Sequence, residues 1–198
     1  YPYWVNATTA QLEWMPYTDS GFFLYSNSAC HLNSHILYYA TQMTPSEFAN
    51  MNLFPYLGIE NPLWLNGYLN INDGSASLEL RLRDMIKLGQ LYLQDGWSGD
   101  EQILSSEWIE QATSIKVETY FAEIPGYGYL WWEYNKLKWM SGFLGQHLII
   151  DKKKKIVACR LIEPKWANKK FEKETQKDIL HFYNFKKLFV SKIITNAY

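Results

Sequence analysis

Gly21-Phe22-Phe23-Leu24-Tyr25-Ser26-Asn27 carries a bulky apolar run into a short polar element, with a helix to follow. Phe22, Phe23 and Leu24 suit a buried extended segment. Side chains two apart in such a segment point the same way, so Tyr25 and Asn27 would present a phenol and an amide to one space. Asn27 or Ser28 can cap the following helix. Two readings stand side by side. In one, Tyr25-Ser26-Asn27 is only a helix start. In the other, a phenol able to pass a proton sits beside an amide able to grip a carbonyl or N–H, which is half of an acyl-transfer site.

The rest of the chain bounds the choice. Its 198 residues suffice for one good-sized domain, and a hydrophobic fraction of 47% argues for a packed core rather than disorder. Aromatics make up 17%, with nine Trp and fifteen Tyr, which implies a thick core or an aromatic-lined cleft. A formal net charge of −1 argues against a nucleic-acid partner. Cys30 and Cys159 have no metal or redox spacing and are too few for a disulfide framework. No apolar run approaches the ~18 residues of a membrane span. The chain opens on Tyr1-Pro2-Tyr3-Trp4, without the charged start and apolar stretch of a secretory leader.

Taken in order, residues 1–20 read as an aromatic, irregular segment lying over something else, with a short helix through Gln11, Leu12 and Met15. A helix is predicted over 28–41, where Leu32, His35, Ile36 and Tyr39 recur at helical spacing. His31 and His35 share a face, but a metal pair needs a third ligand and no HExxH pattern exists. Thr44-Pro45-Ser46-Glu47 has the form of a capping box, with proline at the first helical position. A loop rich in Asn, Gly and Pro follows to residue 75, in which Asn72-Asp73-Gly74 signals a turn. Further helices are predicted over 82–94, with Met85, Ile86, Leu88, Gly89, Tyr92 and Leu93 inward and Gly96 as its stop, and after Ser105, with Trp108, Ile109 and Ala112 along one face.

Beyond Pro125 the period becomes extended. Tyr127–Tyr134, Lys138–Ser141, Gly145–Ile150 and Ile156–Ile162 read as an antiparallel meander, with Asp151 and Lys152–Lys155 at a solvated hairpin tip. A final amphipathic helix is predicted over 170–190. The expected class is α+β, an antiparallel sheet flanked by helices. With no linker or repeat it reads as one domain, 1–126 mainly helix and loop and 127–198 strands plus the last helix.

This order of elements resembles the serine β-lactamase and penicillin-binding-protein family, in its class C-like branch with related esterases and 6-aminohexanoate-oligomer hydrolases. The resemblance runs from about Gly21 to Glu163. Its pieces are Phe23-Leu24-Tyr25-Ser26-Asn27 with Leu32 and Ile36, then Leu53-Phe54-Pro55-Tyr56-Leu57-Gly58-Ile59. Trp64 and Asn72-Asp73-Gly74 follow, then Arg83-Asp84-Met85 with Lys87-Leu88-Gly89, then Gly99-Asp100-Glu101-Gln102-Ile103-Leu104 leading to Trp108-Ile109. Tyr127-Gly128-Tyr129-Leu130-Trp131-Trp132 and Ser141-Gly142-Phe143-Leu144-Gly145-Gln146 close the series. The resemblance implies a β-lactamase/DD-peptidase-like fold and a serine hydrolase working through an acyl-enzyme on an ester, amide or β-lactam. It implies that Tyr25 passes the nucleophile's proton and that Asn27 binds substrate. Ser141, Gly142 and Phe143 would line the cleft, with the Phe143 N–H in the oxyanion hole. It implies no metal or organic cofactor, a small ester, amide or peptide-like substrate, and a periplasmic or extracytoplasmic setting.

Two departures matter. Met140 stands where many relatives carry Lys or His, which favours an ester, small amide or peptide over a penicillin-like carboxylate. And no Ser-x-x-Lys occurs in the 198 residues. Thr113-Ser114-Ile115-Lys116 follows the Tyr-x-Asn element instead of preceding it, and ends a surface helix. The expectation is therefore the C-terminal portion of such a hydrolase, its nucleophile upstream of Tyr1. The alternative is a non-catalytic binding module of the same fold. An incomplete sheet would leave an edge for residues 1–20 or a homodimer partner to cover.

Overall fold

Among the described residues helices dominate as far as Thr113 and strands follow from Val117, and together they form an α+β architecture. The computed structural model describes Phe23, residues 25–119 and residues 126–161. The opening segment 1–20, Phe22, Leu24, Ile162 and the helix expected over 170–190 lie outside the described residues.

Helix α1 (Asn27–Thr41) is followed by α2 (Pro45–Asn52). The predicted capping box opens α2: the Glu47 N–H donates to Thr44 Oγ1, and the Thr44 N–H donates back to Glu47 Oε2 at 2.8 Å. A long loop then carries two short strands, β1 (Leu63–Trp64) and β2 (Leu78–Glu79), which pair with each other. Helix α3 (Leu82–Leu93) ends in a Schellman turn, with Asp95 left-handed at φ 52° and the Gly96 N–H donating to Leu91 O at 2.8 Å. The stop is thus two residues long, with Gly96 its second member. Strands β3 (Trp97–Ser98) and β4 (Glu101–Gln102) form a small hairpin, and Ser105 caps α4 (Ser106–Thr113) through the Trp108 N–H.

Among the described residues the main sheet is a six-stranded antiparallel meander. It contains β5 (Val117–Glu118), β6 (Gly126–Tyr127), β7 (Trp132–Tyr134), β8 (Leu137–Gly142), β9 (Gln146–Asp151) and β10 (Ile156–Arg160), each beside the next. One expectation is corrected here. Tyr127–Tyr134 is not a single strand. It folds back on itself, so that Tyr127 pairs with Trp132. Leu130 adopts φ 65°, and the Tyr129 N–H donates to Ala112 O at 2.9 Å, which draws the turn onto α4.

Register decides the two faces. Val117, Tyr127, Trp132, Trp139, Ile149 and Ala158 are successive cross-strand partners, so their side chains share one face. Phe23 packs there with Trp132, Leu137, Trp139 and Ile149. On the other face Trp131, Leu148 and Ile150 meet Ala112 of α4 and Met85, Tyr92 and Leu93 of α3. The adjacent tryptophans Trp131 and Trp132 therefore anchor opposite cores, as alternation requires. Gly89 lets α3 lie close on the sheet: a Cβ there would come within 2.4 Å of Val157 Cγ1. A third core joins α2, the following turn and α3 through Ala49, Phe54, Leu57, Ile59 and Leu91.

The α1 face also departs from expectation. Ile36 and Tyr39 are 58% and 66% exposed, while His31, Ser34 and His35 are buried. The reason is the long loop, which docks on α1 by polar contacts. Gly74 lies so close that a Cβ would fall 2.3 Å from Ser34 Oγ and 2.9 Å from Cys30 O.

Candidate active site

Ser26, not Asn27 or Ser28, caps α1. Its backbone is extended (φ −143°, ψ 115°) and its Oγ accepts the Ala29 N–H at 3.2 Å. Asn27 is therefore the first helical residue, and the strand-like alternation ends one residue earlier than expected. Tyr25 precedes the cap, half exposed, with its ring stacked on the Trp132 indole at 6.0 Å between centroids and 17° between planes. Trp132 is held in turn by the edges of Phe23 and Tyr127, at 5.6 and 4.6 Å.

Tyr25, Cys30 and Tyr127 form one electrostatic neighbourhood. Burial, then Cys30, pushes the Tyr25 phenol above its ordinary value. Burial, then Asp73, raises the Cys30 thiol. Burial, then Cys30 and Tyr25, raises Tyr127. These influences all favour the neutral forms.

The second part of the site is the end of β8. Its inner side is paired with β9 as far as Gly142 opposite Gln146. On the other side β7 reaches only to Trp132, opposite Trp139. The turn before Trp132 then swings away onto α4, so among the described residues no strand pairs with Met140–Gly142 on that side. Ser141 lies two residues beyond Trp139 and so on the face that carries Tyr25. It is the diagonal neighbour of Trp132, a relation of about 7–8 Å in antiparallel sheets. Met140 faces the opposite core, beside Leu148 and Trp131. Gly142 is exposed and in ordinary extended geometry at φ −108°. Phe143, 68% exposed, begins the turn Phe143–Gly145 into β9.

Tyr25 and Ser141 are thus brought to one face, next to a β8 edge that is unpaired among the described residues. Asn27 is exposed at the start of α1, and Phe143 lies just past the end of β8. Trp132, which joins the two parts, was read only as a strand residue. The doubled tryptophan at an alternating position was the available signal. Cys30 beside Tyr25 was missed as well, although one helical turn separates it from the cap.

Other candidates resolve into structural roles. Asp73 Oδ1 accepts from the Ser75 N–H and Oγ at 2.8 and 2.7 Å, the turn-forming role expected for it, and lies 3.5 Å from His31 Nδ1. His31 and His35 meet through their Nε2 atoms at 3.3 Å. No group of three or more His, Cys, Asp or Glu among the described residues could hold a metal ion. Thr113 is buried, and its hydroxyl donates to Ile109 O at 2.8 Å within α4. Lys116 lies over the Tyr129 ring at 5.1 Å. Neither is arranged as a nucleophile with its base.

No family model matches the sequence, and neither does any curated protein. Solved structures do. A Bacillus anthracis protein provisionally assigned as a 6-aminohexanoate-dimer hydrolase superposes with a TM-score of 0.61 and 26% identity, over 71% of this chain and 38% of that one. A protein provisionally assigned as a β-lactamase from Bacteroides dorei DSM 17855 gives 0.59 and 15%, over 79% of this chain and 56% of that one. The octameric penicillin-binding protein homologue from Pyrococcus abyssi gives 0.54 and 17%, over 78% and 42%. The chain therefore has the fold of the β-lactamase and penicillin-binding-protein group of serine hydrolases, and it spans 38% to 56% of the length of these structures. No helix among the described residues is long and apolar enough to cross a membrane.

Proposed function

We propose that the protein is a β-lactamase-related serine hydrolase acting through an acyl-enzyme on a neutral ester, small amide or peptide-like substrate. The observation that carries this reading is the stack of Tyr25 on Trp132, the diagonal strand neighbour of Ser141, beside a β8 edge that has no strand partner among the described residues. A nucleophilic serine from a Ser-x-x-Lys element outside these 198 residues would attack the substrate carbonyl. The new bond runs from serine Oγ to the acyl carbon. The serine proton passes through the Tyr25 hydroxyl to the departing alkoxide or amine as the old acyl bond breaks. Water then attacks the acyl-enzyme, loses a proton by the reverse route and releases the acid. Asn27 would hold the amide or ester side of the substrate. Ser141 and Gly142 would border it, with the Phe143 N–H donating to the oxyanion, an interaction worth about 3 kcal/mol where it has been removed elsewhere. Placement of Met140 in the opposite core supports a substrate without a carboxylate at that position.

A nitrophenyl ester assay on the natural full-length protein tests this, together with fluorophosphonate labelling. Turnover that falls at least ~100-fold in Tyr25→Phe, with the label on a serine of a Ser-x-x-Lys element, is expected. Stable labelling mapped to a residue within the 198-residue chain would overturn it. The absence of Ser-x-x-Lys from the chain favours one second reading, a binding module that keeps the fold without the chemistry. Ligand binding without turnover by the full-length protein would establish that reading instead.

A further inference from the structure

We infer that Trp132 is the positioning residue of the Tyr25 phenol, holding it over the end of β8. The inference rests on the reading of Tyr25 as the proton carrier. It starts from where Tyr25 stands in the chain. Tyr25 lies before the Ser26 cap, outside the hydrogen-bonded helix, and half of the residue faces solvent. Its described ring contact is a flat one, on the Trp132 indole.

Trp132 is suited to act as a fixed plane. It is 9% exposed, the edges of Phe23 and Tyr127 pack against it, and its strand partner is the fully buried Trp139. Phe23 also meets Tyr127 edge-on at 5.0 Å, so three rings brace one another beneath Tyr25. Position along the strand matters equally. Trp132 is the first β7 residue after the turn onto α4, and it stands opposite Trp139, beyond which β8 has no partner on that side among the described residues. It is thus the ring that touches Tyr25 while lying diagonal to Ser141. A stacked contact specifies ring direction, which a merely apolar contact does not. Displacement of a reacting group by about 1 Å can lower turnover by about 100-fold.

The burial that Trp132 helps provide also contributes to the raised Tyr25 value. Removing the indole exposes the phenol and lets that value fall back toward the ordinary one. This provides a readout that loss of fold stability alone would not move.

The experiment introduces 3-fluorotyrosine at position 25 of the full-length protein, since fluorination brings phenol ionisation into an accessible range. Fluorine NMR then reports ring environment and titration without any need for turnover. Trp132→Leu keeps an apolar residue and removes the plane, and Trp132→Phe keeps a smaller plane in case the leucine variant does not fold. The expected result is a moved fluorine resonance and a lowered phenol titration in both variants. For ester hydrolysis, kcat should fall about 100-fold in Trp132→Leu and about 10-fold or less in Trp132→Phe, with KM within about threefold. Tyr25→Phe separates the two layers of the argument. If it abolishes turnover while Trp132→Leu or Trp132→Phe leaves the resonance, the titration and kcat unchanged, the positioning role is wrong and the site reading stands. If Tyr25→Phe retains turnover, both are wrong.

Discussion

Asn72→Ala should loosen the loop that covers α1, and the size of the effect can be worked out from its hydrogen bonds. Asn72 is 1% exposed. Its Oδ1 accepts the Ser46 N–H at 2.8 Å, which is one of the donors that the first turn of α2 cannot satisfy internally. Its Nδ2 donates to Trp64 O at 2.9 Å and to Asn66 Oδ1 at 2.7 Å. Alanine removes all three bonds and leaves the Ser46 N–H and the Trp64 carbonyl facing a small apolar gap. At about 1 kcal/mol per bond the loss is about 3 kcal/mol. For a chain of this size that lowers Tm by roughly 6–12 °C. Asn72→Asp is the sharper variant. It keeps an acceptor for Ser46 but turns a carboxylate oxygen toward the Trp64 and Asn66 oxygens, so it should be no more stable than alanine at pH 7. Thermal unfolding followed by circular dichroism measures both. If either variant melts within about 1 °C of the parent, Asn72 is not a clamp and the account of the loop fails.

Two further outcomes follow from single groups. Burial, then the Arg160 guanidinium, pushes His147 down to about 4, while the unfolded chain titrates near the ordinary ~6.5. The folded value is the lower one, so the contribution is complete above about pH 6.5 and is lost as pH falls through about 4, amounting to about 3 kcal/mol. The lowered His35, whose causes are burial and then His31, acts in the same sense. Urea unfolding at pH 7 and pH 4 should show a stability difference about 2–3 kcal/mol smaller in His147→Gln, and an unchanged difference would refute the assignment. Gly96→Ala tests the Schellman turn. At φ 92° its Cβ would lie 1.9 Å from Leu104 O, a backbone atom that cannot rotate away. A loss of about 3 kcal/mol or more is expected, and one below about 1 kcal/mol in denaturant melts would show that the turn relaxes.

What the sequence made legible was local. Thr44 and Glu47 are three residues apart and cap one turn. Ser105 caps its own helix. Asp151 accepts the Lys154 N–H at 2.9 Å inside the hairpin tip that the charge run marked. In each case the partners are neighbours in the chain, so residue type and spacing suffice. The misreadings arose where a distant partner decides. Leu130 takes a left-handed turn that no glycine at that position announces, because α4 supplies the hydrogen bond that makes it favourable. Ile36 and Tyr39 look inward by periodicity, yet His31, Ser34 and His35 are the buried residues of α1, and the loop lies against His31 and Ser34 through Asp73 and Gly74. The candidate site divides in the same way. Tyr25-Ser26-Asn27 and Ser141-Gly142-Phe143 were readable as motifs. The placement of Tyr25 and Ser141 on one sheet face was not, since it depends on Trp132 and on the register of β7 against β8.

The charge state of Tyr25 narrows the chemistry that this convergence can support. An ordinary phenol is ionised to about one part in a thousand at pH 7. Burial and Cys30 make the phenolate rarer still, and the Trp132 stack contributes to that burial. The contact proposed to aim the ring therefore works against its use as a free base. A nearby cation would offset this, and the lysine of a Ser-x-x-Lys element is the natural source. A second route needs less. A neutral hydroxyl can accept the serine proton while giving its own to the leaving group, so that no phenolate accumulates. The routes differ in their dependence on pH. A phenolate base loses activity as pH falls through its own titration. A neutral relay loses activity only when the phenol ionises, above the ordinary value of about 10. Because every described influence on Tyr25 raises its value, the relay is the route these residues favour. A flat kcat profile between pH 6 and 9 in the full-length protein is the behaviour that follows from it.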